Sequence, residues 1–577
     1  MTSDLATLVS DNLDVWTSAI ERKSGPGRGA GKKFSHYGIE RLRALILDLA
    51  VRGKLVPQDA EHSPAAELLK DIEAEKLRLF RRSAAKRMAP VKAPAAWPFE
   101  IPESWVWSQI GTITNYGETQ KADPGEVDDD TWVLELEDVE KGSSKLLEKI
   151  RYSSRQFQSQ KNRFRPGDVI YGKLRPYLDK VLIADEAGVC TTEMVPVRGY
   201  HALEPAYLRW YLKSPFFIRF ADSSTHGMNL PRVGTDKARV APIALPPVAE
   251  QQRIVAKVDE LMAQCDALEA ESASALEAHQ ALVETLLATL VSAADPADLA
   301  RQWARLETQF DTLFTTSASV KALQQTVLEL AVRGKLATQD ASDQPAGVML
   351  SALKKATLKG ASKSKAHPSI TSQEQPFALP AGWKWERFDN LMRPDMPIAY
   401  GVLVPGDDVP NGVPFVRIAD LSIDNPPPLP EKSISAEVDE QYVRTRLKGG
   451  EILMGVVGSI GKLGVAPVSW ANANIARAIC RIVPSDDVDR GFVLWLLQSR
   501  FMQNGFRGDT RTLAQPTLNI GLIRLAPTPV PPLAEQKRIV AKLDELMGQC
   551  EALRARIADT EQTRKHLADA VVERVAA

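Results

Sequence analysis

Residues 246–270 read PPVAEQQRIVAKVDELMAQCDALEA, and residues 531–555 read PPLAEQKRIVAKLDELMGQCEALRA. The two stretches lie 285 positions apart (531 against 246) in a chain of 577 residues, so they mark two structurally equivalent halves. In each, tandem prolines cannot sit inside a helix, and the Glu-Gln after them marks a helix start; acidic Glu250 suits the positive end of the helix dipole. From there Ile254, Val258, Leu261, Cys265 and Leu268 recur at steps of four and three, as do Ile539, Leu543, Leu546, Cys550, Leu553 and Ile557. This spacing predicts long helices with a coiled-coil seam. The first pattern fades through Ser272 and Ala275 and resumes at Leu282 and Leu286; the second resumes at Leu567 and Val571. About 40 residues of helix would span ~60 Å. Cys265 and Cys550 take matching seam positions and read as small apolar packing groups.

Four further matches keep the duplication in register. LRALILDLAVRGKLVPQD (42–59) returns as LQQTVLELAVRGKLATQD (323–340), and WPFEIPESWVW (97–107) as QPFALPAGWKW (375–385). RPGDVIYGK (165–173) resembles LKGGEILMG (447–455), and AYLRWYLKSPFF (206–217) returns as GFVLWLLQSRFM (491–502). Leu42, Leu45, Ile46 and Leu49 fall on one helical face that Gly53 ends. Trp105 and Trp107, like Trp383 and Trp385, alternate as in a strand, and GDVIYGKL also reads as a strand. The order is permuted: the central long helix is followed by the second AVRGKL helix, whereas the companion of the C-terminal one stands at the N-terminus. Residues 36–56 are therefore expected to pack on residues 535–575, closing the chain into a pseudo-two-fold ring.

Bulk properties narrow the class. The length calls for several domains. With 72 Lys and Arg against 73 Asp and Glu the net charge is −1, so nucleic-acid binding would rest on local patches. No run of 18 apolar residues suggests a membrane span, and the N-terminus lacks the form of a signal peptide. Cys190, Cys265, Cys480 and Cys550 are far apart and without CxxC pairs, which argues for a cytoplasmic, zinc-free protein. Basic stretches at 21–33, 76–94 and 354–369 read as solvated linkers.

The duplicated PPLAEQKRIV, together with LxLAVRGKL and GWKW, resembles the specificity subunit of type I restriction-modification systems, over residues 36–577. One departure is the 35 residues before the first repeat helix. The resemblance implies an α+β fold of two mixed α/β target-recognition domains separated by two long-helix coiled-coil spacers. The corresponding division is an N-terminal extension, partly disordered (1–35), a repeat helix and linker (36–96), the first recognition domain (97–247), a central helical spacer and linker (248–374), the second recognition domain (375–532) and a C-terminal helix (533–577). The resemblance also implies a non-catalytic subunit that recognises a bipartite, asymmetric site in double-stranded DNA. It would dock two methylation subunits and two restriction motor subunits, with S-adenosylmethionine, ATP and Mg on those partners and no cofactor or metal in this chain. Independently, a rod between two alike domains acts as a ruler, and one turn of DNA spans ~34–36 Å.

Two enzyme motifs fail on their own chemistry. DNPPPL (424–429) is similar to the catalytic motif of amino-methyltransferases, but Pro428 stands where an aromatic residue must stack on the flipped base. GSIGKLG (458–464) is similar to a phosphate-binding loop, but Val456 replaces the first glycine and Leu463 the magnesium-binding hydroxyl.

Reading of DNA needs Arg, Lys, Asn or Gln at base edges with cations at phosphates. In the first half the candidates are Lys161, Arg163, Lys173, Arg175, Tyr177 and Lys180, then His226, Asn229, Arg232 and Lys237. In the second they are Ser459 and Lys462, then Arg507, Arg511, Thr512, Gln515 and Asn519. Two alternatives stand beside this reading: a coiled-coil scaffold that binds only proteins, and an enzyme with an unrecognised methyltransferase or nuclease centre.

Overall fold

The computed structural model describes residues 7, 9, 11–22, 34–82, 91–226, 230–360, 367–508 and 517–576. The basic stretches 23–33, 83–90 and 361–366 lie outside them. The chain is a mixture of helices and short strands that divides into two compact units, residues 1–275 with 560–577, and residues 276–559. No helix among the described residues is long and apolar enough to cross a membrane.

The two units repeat one plan. In the first, the helix Tyr37–Val51 buries Leu42, Leu45, Ile46 and Leu49. It ends at Gly53, whose φ of +69° closes the last turn through a bond from the Lys54 amide to the Leu49 carbonyl (2.9 Å). In the second, Ser317–Val332 ends at Gly334 (φ +68°), with the Lys335 amide on the Leu330 carbonyl at 2.8 Å. A packed proline leaves no room for a side chain at either glycine. A Cβ at Gly53 would lie 2.5 Å from Pro102, and one at Gly334 2.5 Å from Pro380.

Each W-x-W segment forms a strand, Val106–Gln109 or Lys384–Arg387, paired antiparallel with the strand leading into the tandem prolines, Pro242–Leu245 or Pro527–Val530. The polar end of the entry strand is buried in both. Gln109 donates to the Lys92 and Val240 carbonyls (3.0 and 3.3 Å). Arg387 occupies the same place, donating to the Pro368 and Leu525 carbonyls and to both oxygens of Glu374 (2.7 and 3.0 Å).

Further sheets fill each unit. In the first, Met194–Val197, Val169–Gly172 and Val181–Ile183 form an antiparallel sheet beside a four-stranded mixed one that includes Lys161–Phe164 and Gly188–Cys190. In the second, Ile452–Gly455 pairs with Ile479–Ile482 and with Leu463–Val465.

The long helices run Val248–Ser292 and Leu533–Ala576, starting immediately after the prolines. Ile254, Val258, Leu261 and Cys265 are buried, with Leu268 at the margin of the same core. Ile539, Leu543, Cys550 and Ile557 are likewise buried, with Leu546 and Leu553 at the margin. Ile539 and Leu543 meet Leu328, Val332, Phe492 and Leu496 with a void of only about 10 Å3 between them. Farther along, the heptad reading is corrected. Leu282 is 52 % exposed and Leu567 49 %, Leu286 and Val571 stay at the core margin, and Val283, Leu287, Ala568 and Val572 are buried. Cys265 to Val283 and Cys550 to Ala568 are each 18 residues, five turns at 3.6 residues per turn. A straight helix drifts off a seven-residue repeat, and here the straight helix wins.

Opposite ends of the chain meet within the first unit, as the permuted repeat predicts. The Tyr37 hydroxyl donates to Asp569 (2.9 Å), Arg41 pairs with Asp569 (2.7 Å), and Ala568 joins the core of Leu42 and Ile46. The segment before the first repeat helix is part of this core: Leu13–Ser18 is a helix whose Trp16 is fully buried, against Gly38.

Gly334→Ala is expected to lower the melting temperature by several degrees, because a left-handed φ and a proline contact both oppose a Cβ. Gly548→Ala, on an open stretch of the long helix, should instead stabilise by up to ~1 kcal/mol in the same thermal scan. The paired Arg387 guanidinium holds the Glu374 carboxyl down to about 2, below the ordinary 4.5. A depressed carboxylate stabilises the fold above pH 4.5 and loses that contribution as the pH falls toward 2. Glu374 is 36 % exposed, so Glu374→Gln should cost no more than ~1 kcal/mol at pH 7, with the difference in melting temperature closing below pH 4.5.

Candidate nucleic-acid interface

In both units the strand at the centre of the antiparallel sheet runs out into a loop that is stitched to a second, distant loop. In the first unit this is residues 173–180, after Val169–Gly172. Leu174 bridges Arg232, the Arg175 amide donates to the Pro231 carbonyl (2.8 Å), and the Val233 amide to the Lys173 carbonyl (3.1 Å). In the second unit the turn 456–462 continues from Ile452–Gly455. Val457 bridges Thr517, and the Leu518 amide donates to the Val456 carbonyl (2.8 Å). Leu174 and Val457, and Arg232 and Thr517, occupy equivalent places in the repeat, so one backbone frame carries two unrelated loop sequences.

The loop in the first unit is a short 3-10 turn, Pro176–Leu178, flanked by Arg175 (φ 52°) and Asp179 (φ 50°). Left-handed backbone at two non-glycine residues persists only where the surroundings impose it. Tyr177 at its tip is 53 % exposed. Lys173 is half-buried and Lys237 exposed, and neither has an ion-pair partner among the described residues. Arg232 pairs with Glu193 at 2.9 Å. Lys180 donates to the Leu136 carbonyl (2.7 Å), and burial pulls its pKa down. Arg163 reaches back to the Glu126 carboxylate (3.1 Å). Lys161 is 8 % exposed and ion-paired to Glu135, which makes it a framework cation.

In the second unit Ser459 is exposed at the turn, between Gly458 (φ 72°) and Gly461 (φ 79°). The Lys462 ammonium is held by the Ile418 carbonyl at 2.8 Å. Asn519 caps the helix Ile520–Leu525 through the Gly521 amide (2.7 Å). Asn229, Arg511, Thr512 and Gln515 lie outside the described residues, as do the side chains of His226 and Arg507.

The structure adds Arg477, which no sequence pattern marks. It is exposed, and it lies beside Tyr400, whose hydroxyl accepts from the Ile520 amide (2.8 Å) and donates to the Leu518 carbonyl (3.0 Å). A single cation between alanines, in NIARAIC, gives no local signal.

The two motifs set aside on chemical grounds have structural roles. The Pro427 and Pro428 carbonyls accept from the Trp470 indole (3.0 Å) and the Ser469 hydroxyl (2.7 Å). Gly458 and Gly461 of GSIGKLG make the tight turn between two strands, and Gly464 lies in the second of them. No cluster of His, Cys, Asp or Glu able to hold a metal ion occurs among the described residues.

Residues 407–561 match the type I restriction modification DNA specificity domain. The chain is 34 % identical over 98 % of both chains to the specificity subunit of the type I restriction enzyme EcoAI from Escherichia coli. It is 32 % identical, again over 98 % of both, to that of EcoEI from the same species. This chain belongs to the type I specificity subunits. A chain in a solved type I R-M system, described for its complex assembly and conformational transition, is 22 % identical over 83 % of this chain and 99 % of its own, with a TM-score of 0.49. The specificity subunit is a non-catalytic, target-recognising, DNA-binding component. Coverage of 98 % leaves too few unmatched residues for all of 1–35 to be peculiar to this chain.

Lys161 and Lys173 are the pair that tests which cations are framework. Lys173→Ala in the assembled complex should leave the melting temperature unchanged and reduce the slope of log affinity against log salt by about one, the value of one phosphate contact. Lys161→Met should do the reverse, because it leaves the half-buried Glu135 carboxylate without its ion-pair partner and removes no surface charge.

Proposed function

We propose that this specificity subunit reads a bipartite, asymmetric site in double-stranded DNA, one half through each recognition domain (97–247 and 375–532), and docks its partners on the helical segments between and after them. One observation carries the reading. The same backbone bridges, Leu174 to Arg232 and Val457 to Thr517, present loops whose sequences have diverged, KLRPYLDK in one and VVGSIGK in the other. A retained frame with exchanged side chains is what two readers of different sequences require, since cations position the backbone while base edges specify.

The partners are two methylation subunits, to which two motor-nuclease subunits add. S-adenosylmethionine, ATP and Mg belong to those subunits. The near-identity of PPVAEQQRIVAKVDELM and PPLAEQKRIVAKLDELM supports two equivalent docking surfaces. A groove of 660 Å3 in the second unit, lined by Leu287, Val291, Glu329, Arg333 and Phe501 from three helices, supports one of these surfaces.

Exchanging residues 97–247 for the same segment of a relative should change one half of the methylated sequence, read by methylome sequencing of cells carrying the complex. A change in both halves, or in neither, would show that the domains do not read independently. Mass measurement of the complex should give two methylation subunits per chain, and a stable one-to-one complex at saturating partner would contradict the docking.

A further inference from the structure

The two loops share a frame but are locked by different chemistry. Behind the first stands Lys213, which caps the helix Pro205–Leu212. Its side chain is 5 % exposed, and it donates to the Gly142 carbonyl (2.8 Å), the Ser144 hydroxyl (2.7 Å) and the Asp179 carboxylate (2.7 Å). Ser144 donates in turn to the Asp179 carbonyl (2.7 Å) and accepts from the Val181 amide (3.0 Å). Ser144 and Asp179 are both left-handed, with φ of 59° and 50°. One buried ammonium thus holds two strained turns together, and the short turn that carries Tyr177 ends at the second of them. The Tyr177 amide is itself held by the Asp222 carboxylate.

In the second unit the counterpart of Lys213 is Gln498, which among the described residues donates only within its own helix, to the Leu494 carbonyl. Here Gln503, on the helix Arg500–Gly508, does the holding. Its amide donates to the Gly461 carbonyl (3.1 Å) and the Leu497 carbonyl (2.7 Å). A Cβ at Gly461 would lie 2.1 Å from its oxygen.

We propose that Lys213 and Gln503 are positioning residues for sequence reading, each fixing one loop from behind and so controlling one half of the recognised site. A loop held in its reading conformation is not re-ordered on binding, whereas a released one settles on more sequences.

This rests on the DNA reading proposed above, and the experiment separates the two. The complex with its methylation subunits is presented with a randomised duplex library, and bound duplexes are sequenced. The unaltered complex should select a two-part motif; selection of no motif would fail the DNA reading itself. Lys213→Met should relax one half by on the order of tenfold, and Gln503→Ala the other half, with the opposite half and the salt slope retained. Both halves intact in both variants, or both degraded together, would overturn the proposal.

Should Lys213→Met not fold, Gln503→Ala and a pH series on the unaltered complex decide. Burial raises the Asp179 carboxyl to about 6 against the opposing pull of Lys213 and Arg209, which face it from the helix; Tyr171 faces it from the strand. Below that pH the carboxylate is neutral and its ion pair is lost. Because the folded pKa is raised, this protonation favours the fold, so loop control and not stability is what weakens. The first half should therefore relax below pH 6 and the second should not, and Asp179→Asn should abolish the difference. A pH response equal in both halves would also overturn the proposal.

Discussion

The corner where tandem prolines meet a helix start holds each unit together, and a buried glutamine makes it rigid. The Gln251 side chain, fully buried, accepts from the Glu204 amide (2.9 Å) and donates to the Pro246 carbonyl (2.9 Å). Gln536 does the same with the Asp489 amide (2.8 Å) and the Pro531 carbonyl (2.9 Å). Each amide ties the end of a strand, the start of a long helix and the start of a short one, using its acceptor and a donor. An unpaired amide there would cost more than its bonds contribute, so the corner tolerates no polar substitute of another shape. The glutamate beside it is engaged too: Glu535 accepts from the Trp383 indole (2.9 Å), and Glu250 from Gln58 (2.6 Å).

From this corner outward the two units keep the frame and change its chemistry. Arg52 lies over Phe99 as Arg333 lies over Phe377, at 4.6 and 4.7 Å from the ring centres. Trp210 donates to Asp259 and Trp495 to Asp544, both at 2.9 Å. Where the frame turns toward the loops, the match ends. Gln109 gives way to Arg387 with its Glu374, and the buried Lys213 to a plain glutamine. A neutral donor and a charged one fill the same place equally well if the charge brings its own counter-ion. This freedom lets a duplicated domain diverge in sequence without losing its fold.

Much of the fold was legible because it rests on near neighbours. Gly53 and Gly334 as helix stops, the strands at Trp105 and Trp383, and the helices after PP-x-x-EQ all arise from local sterics and periodicity. The candidate interface was legible only as clusters. Lys161 and Lys180 look like Lys173 in sequence, but Glu135 and the Leu136 carbonyl, about 26 and 44 residues away, engage the first two. Arg477 carried no pattern of its own.

The sequence by itself determined the duplication, the permuted order and the helices and strands that the repeated motifs mark, because periodicity and proline or glycine sterics act over a few residues. It also foretold that the first repeat helix meets the last long helix, since a repeat split between the chain ends is completed only by bringing them together. Tertiary structure alone decided which cations are surface and which are framework, how two loops far apart in the chain share one bridge, and where the long helices turn their apolar face after Cys265 and Cys550. Those outcomes depend on burial and on partners distant along the chain. A lysine's surroundings, and not the lysine, set whether it is free to meet a phosphate.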